Sequence, residues 1–208
     1  RRRHTRFRNV TGVQTCALPI YTSERLRAMR PLMERPADIL FFVSWVPNLD
    51  LVERMIDRVC ADHPGRTIWM KIKPAWRDRP ALDSLRRRVK RHANLRETQE
   101  PSLDLMGRAR YAISPPSTVV SEALQSGLAV FCIDDRSWGH RLCFRSFPIN
   151  VATPDELAGR LGALERGDPY PFAEVEPLVP RDGTNYHDAL LRELGLTTHF
   201  SDRKPAAA

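Results

Sequence analysis

The chain lacks most of the features that make a function legible at a glance. No apolar run approaches the about 20 residues of a membrane helix; the longest candidate, Ile39-Leu-Phe-Phe-Val43, has the length of a buried strand. Cysteine is scarce, four in 208 residues, with no CxxC pair. That argues against a disulfide framework and fits reduced thiols in a cytoplasmic chain. No His or Cys spacing resembles a metal site. Neither a G-x-G-x-x-G loop nor a Walker loop is present. The absence of a G-x-S-x-G elbow argues against a serine hydrolase. Internal repeats are absent too.

Basic charge is present in excess, but unevenly. The formal net charge is +8, from 33 basic and 25 acidic residues. Five of the arginines, and no acid, fall within residues 1–20. Val10-Thr-Gly-Val-Gln-Thr-Cys-Ala-Leu-Pro-Ile20 resembles the translation of a short-read sequencing adapter, and Arg1-Arg-Arg-His-Thr-Arg6 fits the adapter stretch just upstream of the index. Residues 1–20 are therefore expected to be an artefact without structure. An arginine-rich transit peptide is the competing account. Without these residues, 33 less five leaves 28 basic residues against 25 acidic, a net of +3. Such a balance no longer argues for nucleic acid. The natural chain is then expected to begin upstream of Tyr21, with residues 21–37 a linker or the remnant of a preceding domain.

From Ile39 onward, strand and helix patterns alternate. Ile39–Ser44 reads as a strand buried on both faces. A helix from Asp50 to about Ala61 carries the apolar stripe Leu51, Val52, Met55, Ile56, Val59 and Cys60, and His63-Pro-Gly stops it. Thr67–Ile72 is a second strand. A helix over Pro80–Ala93 turns Leu82, Leu85 and Val89 inward, with Arg86, Arg87, Arg88, Lys90 and Arg91 on the remaining surface. Asn94–Thr98 reads as a short strand, and Ser102 as the cap of a helix to Arg108. Tyr111–Ser114 (strand), Ser117–Ser126 (helix) and Ala129–Ile133 (strand) follow. Thr153-Pro-Asp-Glu opens a helix to about Glu165 with proline at its first position. Pro169–Pro180 is a proline-rich loop with room for one helical turn, a last helix runs from Thr184 or Asn185 to Leu194, and 196–208 is a tail. Strands separated by single helices imply right-handed βαβ units and a parallel sheet. The expected fold is α/β, one Rossmann-like domain of five or six strands over 38–195.

Ligands in such sheets sit at the carboxyl ends of the strands. Those ends are Ser44–Asn48, Lys73–Trp76, Ser114–Ser117 and Asp134–His140. Ser117 and Thr118 open a helix whose free N–H groups and dipole favour an anion; an ordinary N-cap is the competing account. Glu122, four residues after Thr118, shares its helix face, and Gln125 continues it. Val119, Val120, Ala123 and Leu124 face the sheet. A carboxylate so placed can accept both hydroxyls of a ribose; a solvated glutamate near the helix dipole is the alternative. A capping box does not explain Glu122, because the third residues after Ser117 and Thr118 are Val120 and Ser121. Lys73, held by Pro74 and with Lys71 on the same side, suits a phosphate; an exposed lysine is the competing account. Asp134, Asp135 and His140 can meet sugar hydroxyls or serve only as loop residues. The Arg86–Arg91 run reads first as a solvated helix face, with contact to anionic lipid headgroups as the alternative. His63 and His92 read as surface residues at helix ends.

The segment Ser114-Pro-Pro-Ser-Thr-Val-Val-Ser-Glu-Ala-Leu-Gln-Ser-Gly-Leu-Ala-Val-Phe-Cys-Ile-Asp134 resembles the donor-binding, C-terminal half of GT-B glycosyltransferases. The pattern S-T-x-x-x-E-A-L-x-x-G-x-x-V is similar to the capsule polysaccharide biosynthesis family, to Kdo- and sialyl-transferring relatives and to the glycerophosphotransferases of teichoic acid synthesis. Those families carry a K-x-H-P motif after the second strand of this domain. Here that place reads Lys71-Ile-Lys-Pro-Ala-Trp76, without the histidine. The resemblance implies a nucleotide-activated sugar as substrate and a glycan or lipid-linked acceptor, with neither metal nor other cofactor. It implies that Ser117, Thr118 and Lys73 bind the donor phosphate and Glu122 the ribose. It also implies displacement at the anomeric carbon, with the general base on a preceding domain, so the catalytic residues lie outside this chain and the fragment is inactive alone. Two other readings stand beside it: a nucleotide-sugar epimerase of the UDP-GlcNAc 2-epimerase type, and a non-catalytic nucleotide-binding domain.

Overall fold

The structure is a computed structural model that describes residues 34–36, 38–43, 48–134 and 147–175. The expected last helix, residues 1–20 and the 196–208 tail lie outside them.

Six parallel strands form one sheet: β1 (Asp38–Val43), β2 (Ile68–Ile72), β3 (Leu95–Glu97), β4 (Ala109–Ser114), β5 (Ala129–Ile133) and β6 (Asn150–Val151). Their spatial order is β3-β2-β1-β4-β5-β6. The chain winds outward from β1 to β3, returns to the centre, and winds the other way from β4 to β6. The switch point therefore lies between β1 and β4, where open α/β sheets leave a crevice at their carboxyl edge.

Burial on both faces explains why the strands read as apolar runs rather than alternating ones. On one face, Ile39, Phe41, Met70, Ile72, Ile113 and Phe131 pack beneath α1 (Leu49–Asp62), α2 (Asp83–Arg91) and α5 (Pro154–Glu165). On the other, Leu40, Phe42, Ala112, Val130 and Cys132 meet α3 (Ser102–Met106) and α4 (Thr118–Gln125). A one-turn helix, α6 (Phe172–Val175), follows Tyr170, whose hydroxyl donates to the Val130 carbonyl at 2.7 Å.

The expected stripe of α1 is buried in full. Its cap is Asn48, whose Oδ1 accepts from the Leu51 N–H at 3.0 Å, so the helix begins a residue before Asp50. Ser102 does not cap α3: it is the first helical residue, and Pro101 holds the cap position without a side-chain bond. Proline there has no N–H to leave unpaired. The helix expected over Pro80–Ala93 starts with a 3-10 turn, Pro80–Leu82, and is α-helical only over Asp83–Arg91. Thr153 caps α5 as expected, accepting from the Glu156 N–H at 3.1 Å. Both histidines read as surface residues are occupied. His63 is buried, with Nδ1 3.4 Å from Glu165, and His92 is half-buried, with Nε2 2.8 Å from Asp57. Each ties α1 to a neighbouring helix or its flank.

Candidate functional site

The site is built where β4 ends. Ser114 is 1% exposed, and by strand alternation it shares the α4 face of the sheet with Ala112. Its hydroxyl donates to the Pro115 carbonyl at 2.7 Å and lies 3.3 Å from the Ser117 hydroxyl. Two prolines fix φ across the loop, and these bonds tie its ends together. Ser117 then enters α4 as an extended N-cap residue, φ −163° and ψ 170°, yet makes no side-chain cap bond. Asn48 and Thr153, which open the helices after β1 and β6, both do. The ordinary-cap account of Ser117 is thus not realised, because its hydroxyl is turned to Ser114. The helix at the switch point therefore receives no side-chain acceptor from its N-cap residue for its first N–H groups, a state it shares with α2 and α3, whose cap residues Leu82 and Pro101 have no side-chain acceptor to offer.

One turn along, Glu122 is half-buried beside exposed Thr118 and half-buried Gln125. Val120, Ser121, Ala123 and Leu124 are buried against the sheet. Val119, expected in that set, is only partly buried, and Ser121 takes the place beside the core. Among the described residues nothing hydrogen-bonds the Glu122 carboxylate. Burial pushes its pKa above the ordinary carboxylate range. Among the described residues the glutamate is therefore neither fully solvated nor paired.

A glycine shapes the other end of α4. Gly127 has φ +76°, and the bonds from Leu128 N–H to the Ala123 carbonyl (3.0 Å) and from Gly127 N–H to the Leu124 carbonyl (2.9 Å) form a Schellman close. That close delivers the chain directly into β5.

Lys73 stands on the last rung of the β1–β2 ladder: its N–H donates to the Val43 carbonyl at 2.8 Å. Its side chain is exposed, and the extended backbone (φ −54°, ψ 130°) is what a following proline imposes. Strands lie about 4.8 Å apart, so β2 and β4, on either side of β1, stand roughly 10 Å from each other. Continuing the Phe41–Ile113 register sets Val43 level with Pro115. Lys73, the Ser114–Ser117 loop and Asp134 then share one carboxyl rim. Asp134 is half-buried, with its N–H on the Val151 carbonyl at 2.9 Å. Asp135 and His140 lie outside the described residues.

Lys71 is not a second free cation. Its amine donates to the Glu100 carbonyl and, at 3.5 Å, to that of Gln99. The arginine run also divides. Arg88 is drawn inward to Glu53 (3.0 Å) and Asp57 (3.1 Å) of α1, and Arg86 bonds Asp83 (2.8 Å) and the Arg77 carbonyl. Arg87, Lys90 and Arg91 remain exposed. Among the described residues no group of three or more His, Cys, Asp or Glu is placed to hold a metal ion. Sequence reasoning named Ser114 only as the end of a strand and gave it no role of its own. That strand-end position was the one available signal; its contact with Ser117 is set by how the loop folds.

Neither the known protein families nor the curated proteins contain a sequence match to this chain. Solved structures do match in shape. AviGT4, a glycosyltransferase involved in avilamycin A biosynthesis, aligns at TM-score 0.50 and 20% identity over 82% of this chain and 55% of its own. The fold is Rossmann-like, of the GT-B kind. TarM aligns at TM-score 0.52 and 11% identity, over 81% of this chain and 37% of that one. The Methanocaldococcus jannaschii UDP-GlcNAc 2-epimerase, solved with UDP-GlcNAc and UDP, aligns at TM-score 0.50 and 15% identity over 85% and 50%. The chain thus spans roughly a third to just over half of the length of these structures.

Proposed function

We propose that this domain binds the nucleotide of an activated sugar and forms the donor half of a glycosyltransferase in bacterial surface-polysaccharide synthesis. One observation carries the reading: the helix at the switch point presents an uncapped N-terminus, with an unbonded, half-buried carboxylate one turn further on. An anion fits the first feature and a sugar diol the second, and a nucleotide offers both at that spacing. In this reading the N–H groups at the start of α4, the hydroxyls of Ser117 and Thr118, and Lys73 hold the donor phosphate, while Glu122 accepts the ribose hydroxyls. Asp134, with Asp135 and His140, meets the sugar. The same cations and N–H groups stabilise the nucleotide as it leaves the anomeric carbon, without a metal.

The acceptor is a glycan or a lipid-linked saccharide, and the general base belongs to a facing domain, so the domain binds donor without turning it over alone. Contact with anionic lipid headgroups now rests on Arg87, Lys90 and Arg91, since Arg86 and Arg88 are spent inside the fold. Calorimetric titration with UDP, CDP and CMP tests the reading. At least one should bind, and Glu122→Ala should weaken it; no binding by any of the three removes the support.

The epimerase-type reading is kept because an epimerase is among the structures of the same shape. Proton transfer on a sugar needs acid and base groups at the strand ends. On this rim the candidates for such groups are Asp134, Asp135 and His140, which the transferase reading assigns to sugar contacts instead. Incubation with UDP-GlcNAc, followed by NMR of the sugar anomers, separates them, because only an epimerase produces the second sugar without an acceptor.

A further inference from the structure

The N-cap residues of α1 to α5 differ in what their side chains can do. Leu82 and Pro101, before α2 and α3, carry no acceptor. Asn48 and Thr153, before α1 and α5, carry one and use it, accepting from Leu51 N–H at 3.0 Å and from Glu156 N–H at 3.1 Å. Ser117 is the exception. It carries a cap-type hydroxyl on the extended backbone of an N-cap residue, yet that oxygen receives no helix N–H. The proton count at Ser114 accounts for it. A serine hydroxyl has one proton. Ser114 Oγ gives its own to the Pro115 carbonyl at 2.7 Å, an oxygen that can only accept. In the 3.3 Å contact between the two serines, Ser117 is therefore the donor and Ser114 the acceptor.

Burial decides where the Ser117 proton goes. Ser114 is 1% exposed, and among the described residues no other donor meets its hydroxyl oxygen. The two prolines cannot supply one, since neither has an N–H. Were Ser117 to turn and cap α4, the Ser114 acceptor would be left buried and unmet. That costs more than leaving a helix N–H to water beside exposed Thr118. We propose that Ser114 is a positioning residue for α4: its buried oxygen takes the Ser117 proton and so keeps the first N–H groups of the helix open to an anion. Charge-assisted bonds are about twice as strong as neutral ones, so a bound phosphate can still draw that proton to the rim. That the anion is the phosphate of an activated sugar rests on the donor reading above.

Amide hydrogen exchange of the full chain, resolved by NMR, tests the positioning without any ligand. Val120 N–H already donates to the Ser117 carbonyl at 3.1 Å, which makes Val119 N–H the partner for a new cap. Ser114→Ala removes the buried acceptor, so the Ser117 hydroxyl should turn to the helix. Exchange at Val119 should then slow about fivefold, the worth of one N-cap. Ser114→Cys keeps the shape with a weak acceptor and should act in the same direction, while Ser114→Thr keeps the hydroxyl and should match wild type. A Ser117→Ala background has no hydroxyl to turn, so there Ser114→Ala should change nothing; a mere loss of loop packing would persist. Calorimetry with the best-binding of UDP, CDP and CMP should follow the same pattern. Ser114→Ala alone should bind about fivefold more weakly, because the anion must displace a cap, with no further loss when it is added to Ser117→Ala. The role of Ser114 is overturned if Val119 exchange does not slow, if the effect survives in the Ser117→Ala background, or if Ser114→Ala binds nucleotide as tightly as wild type. If no nucleotide binds even wild type, the donor reading falls, and slowed exchange at Val119 still upholds the positioning. If nucleotides bind but the exchange does not move, Ser114 has no such role and the donor reading stands.

Discussion

Replacing Glu122 by glutamine should move stability and affinity in opposite directions. Glu122 is half-buried, unbonded and raised in pKa by burial. A carboxyl whose folded-state pKa lies above its unfolded value contributes favourably at low pH, and that contribution is lost as pH rises through its ionisation range. At neutral pH the ionised side chain is thus a liability to the free protein. Glutamine keeps the shape and removes the charge, so the variant should melt at or above the wild-type temperature at pH 7. The two proteins should converge near pH 4, where the wild-type carboxyl is protonated. Binding should change the other way. A carboxylate accepting a ribose diol makes two charge-assisted bonds of about 1.5 kcal/mol each at a half-exposed position; glutamine retains one acceptor, so the loss is about 2 kcal/mol, or about 30-fold in Kd. Calorimetry with the best-binding ribonucleotide and its 2′-deoxy counterpart closes a double cycle. The deoxy nucleotide should bind wild type weakly, and the glutamine variant, with one acceptor left, should distinguish the two much less. A variant that destabilises the protein at pH 7 would reveal a structural partner for Glu122. One that binds ribonucleotide like wild type would refute the ribose assignment.

Four further outcomes follow from the structure. Ser117→Asp supplies α4 with the cap it lacks and a negative charge at its dipole, so the free protein should gain about 0.5–1 kcal/mol by chemical denaturation while nucleotide affinity collapses. Thr153→Ala removes the realised cap of α5 and should cost about 1 kcal/mol in the same assay, with nucleotide titration unchanged. Gly127→Ala forces a side chain into a left-handed position at φ +76°; it should cost about 1–2 kcal/mol, seen as a lower urea midpoint at constant slope. Cys60 is buried and its thiol pushed up to about 12 by desolvation, so at pH 8 the folded chain should leave it unmodified by an aromatic disulfide reagent until denaturant is added.

Much of the architecture could be read from residue pattern because burial imposes it. The α1 stripe, the short apolar strands and the Thr153-Pro opening of α5 each follow from a local rule, and the structure keeps them. Side-chain pairing across elements follows no such rule. The arginine run looked solvated because a helix seen alone shows only its own faces. Arg88 is drawn inward by Glu53 and Asp57, which lie four residues apart on one face of α1. That carboxylate pair was visible in the sequence, but its alignment with α2 depends on how two helices dock. Lys71 is the same case: its position on the strand was legible, while its capture by carbonyls after β3 was set by a neighbouring strand's loop.

The same distinction bears on the site. Whether a serine before a helix caps it or turns away depends on a competing acceptor, and here Ser114 supplies one, 3.3 Å away. The competition matters because a capped helix offers an anion less: its cap oxygen already occupies one of the N–H groups that a phosphate would use. Ser114 and its two prolines thus do for α4 what deleting the cap would do, while keeping two hydroxyls at the rim. Stability is given up at the helix end and again at Glu122, where an unpaired carboxylate is held half out of water. Two local penalties one helical turn apart, at the one crevice where the sheet reverses, have a common physical remedy in a ligand with an anionic end and a donor diol.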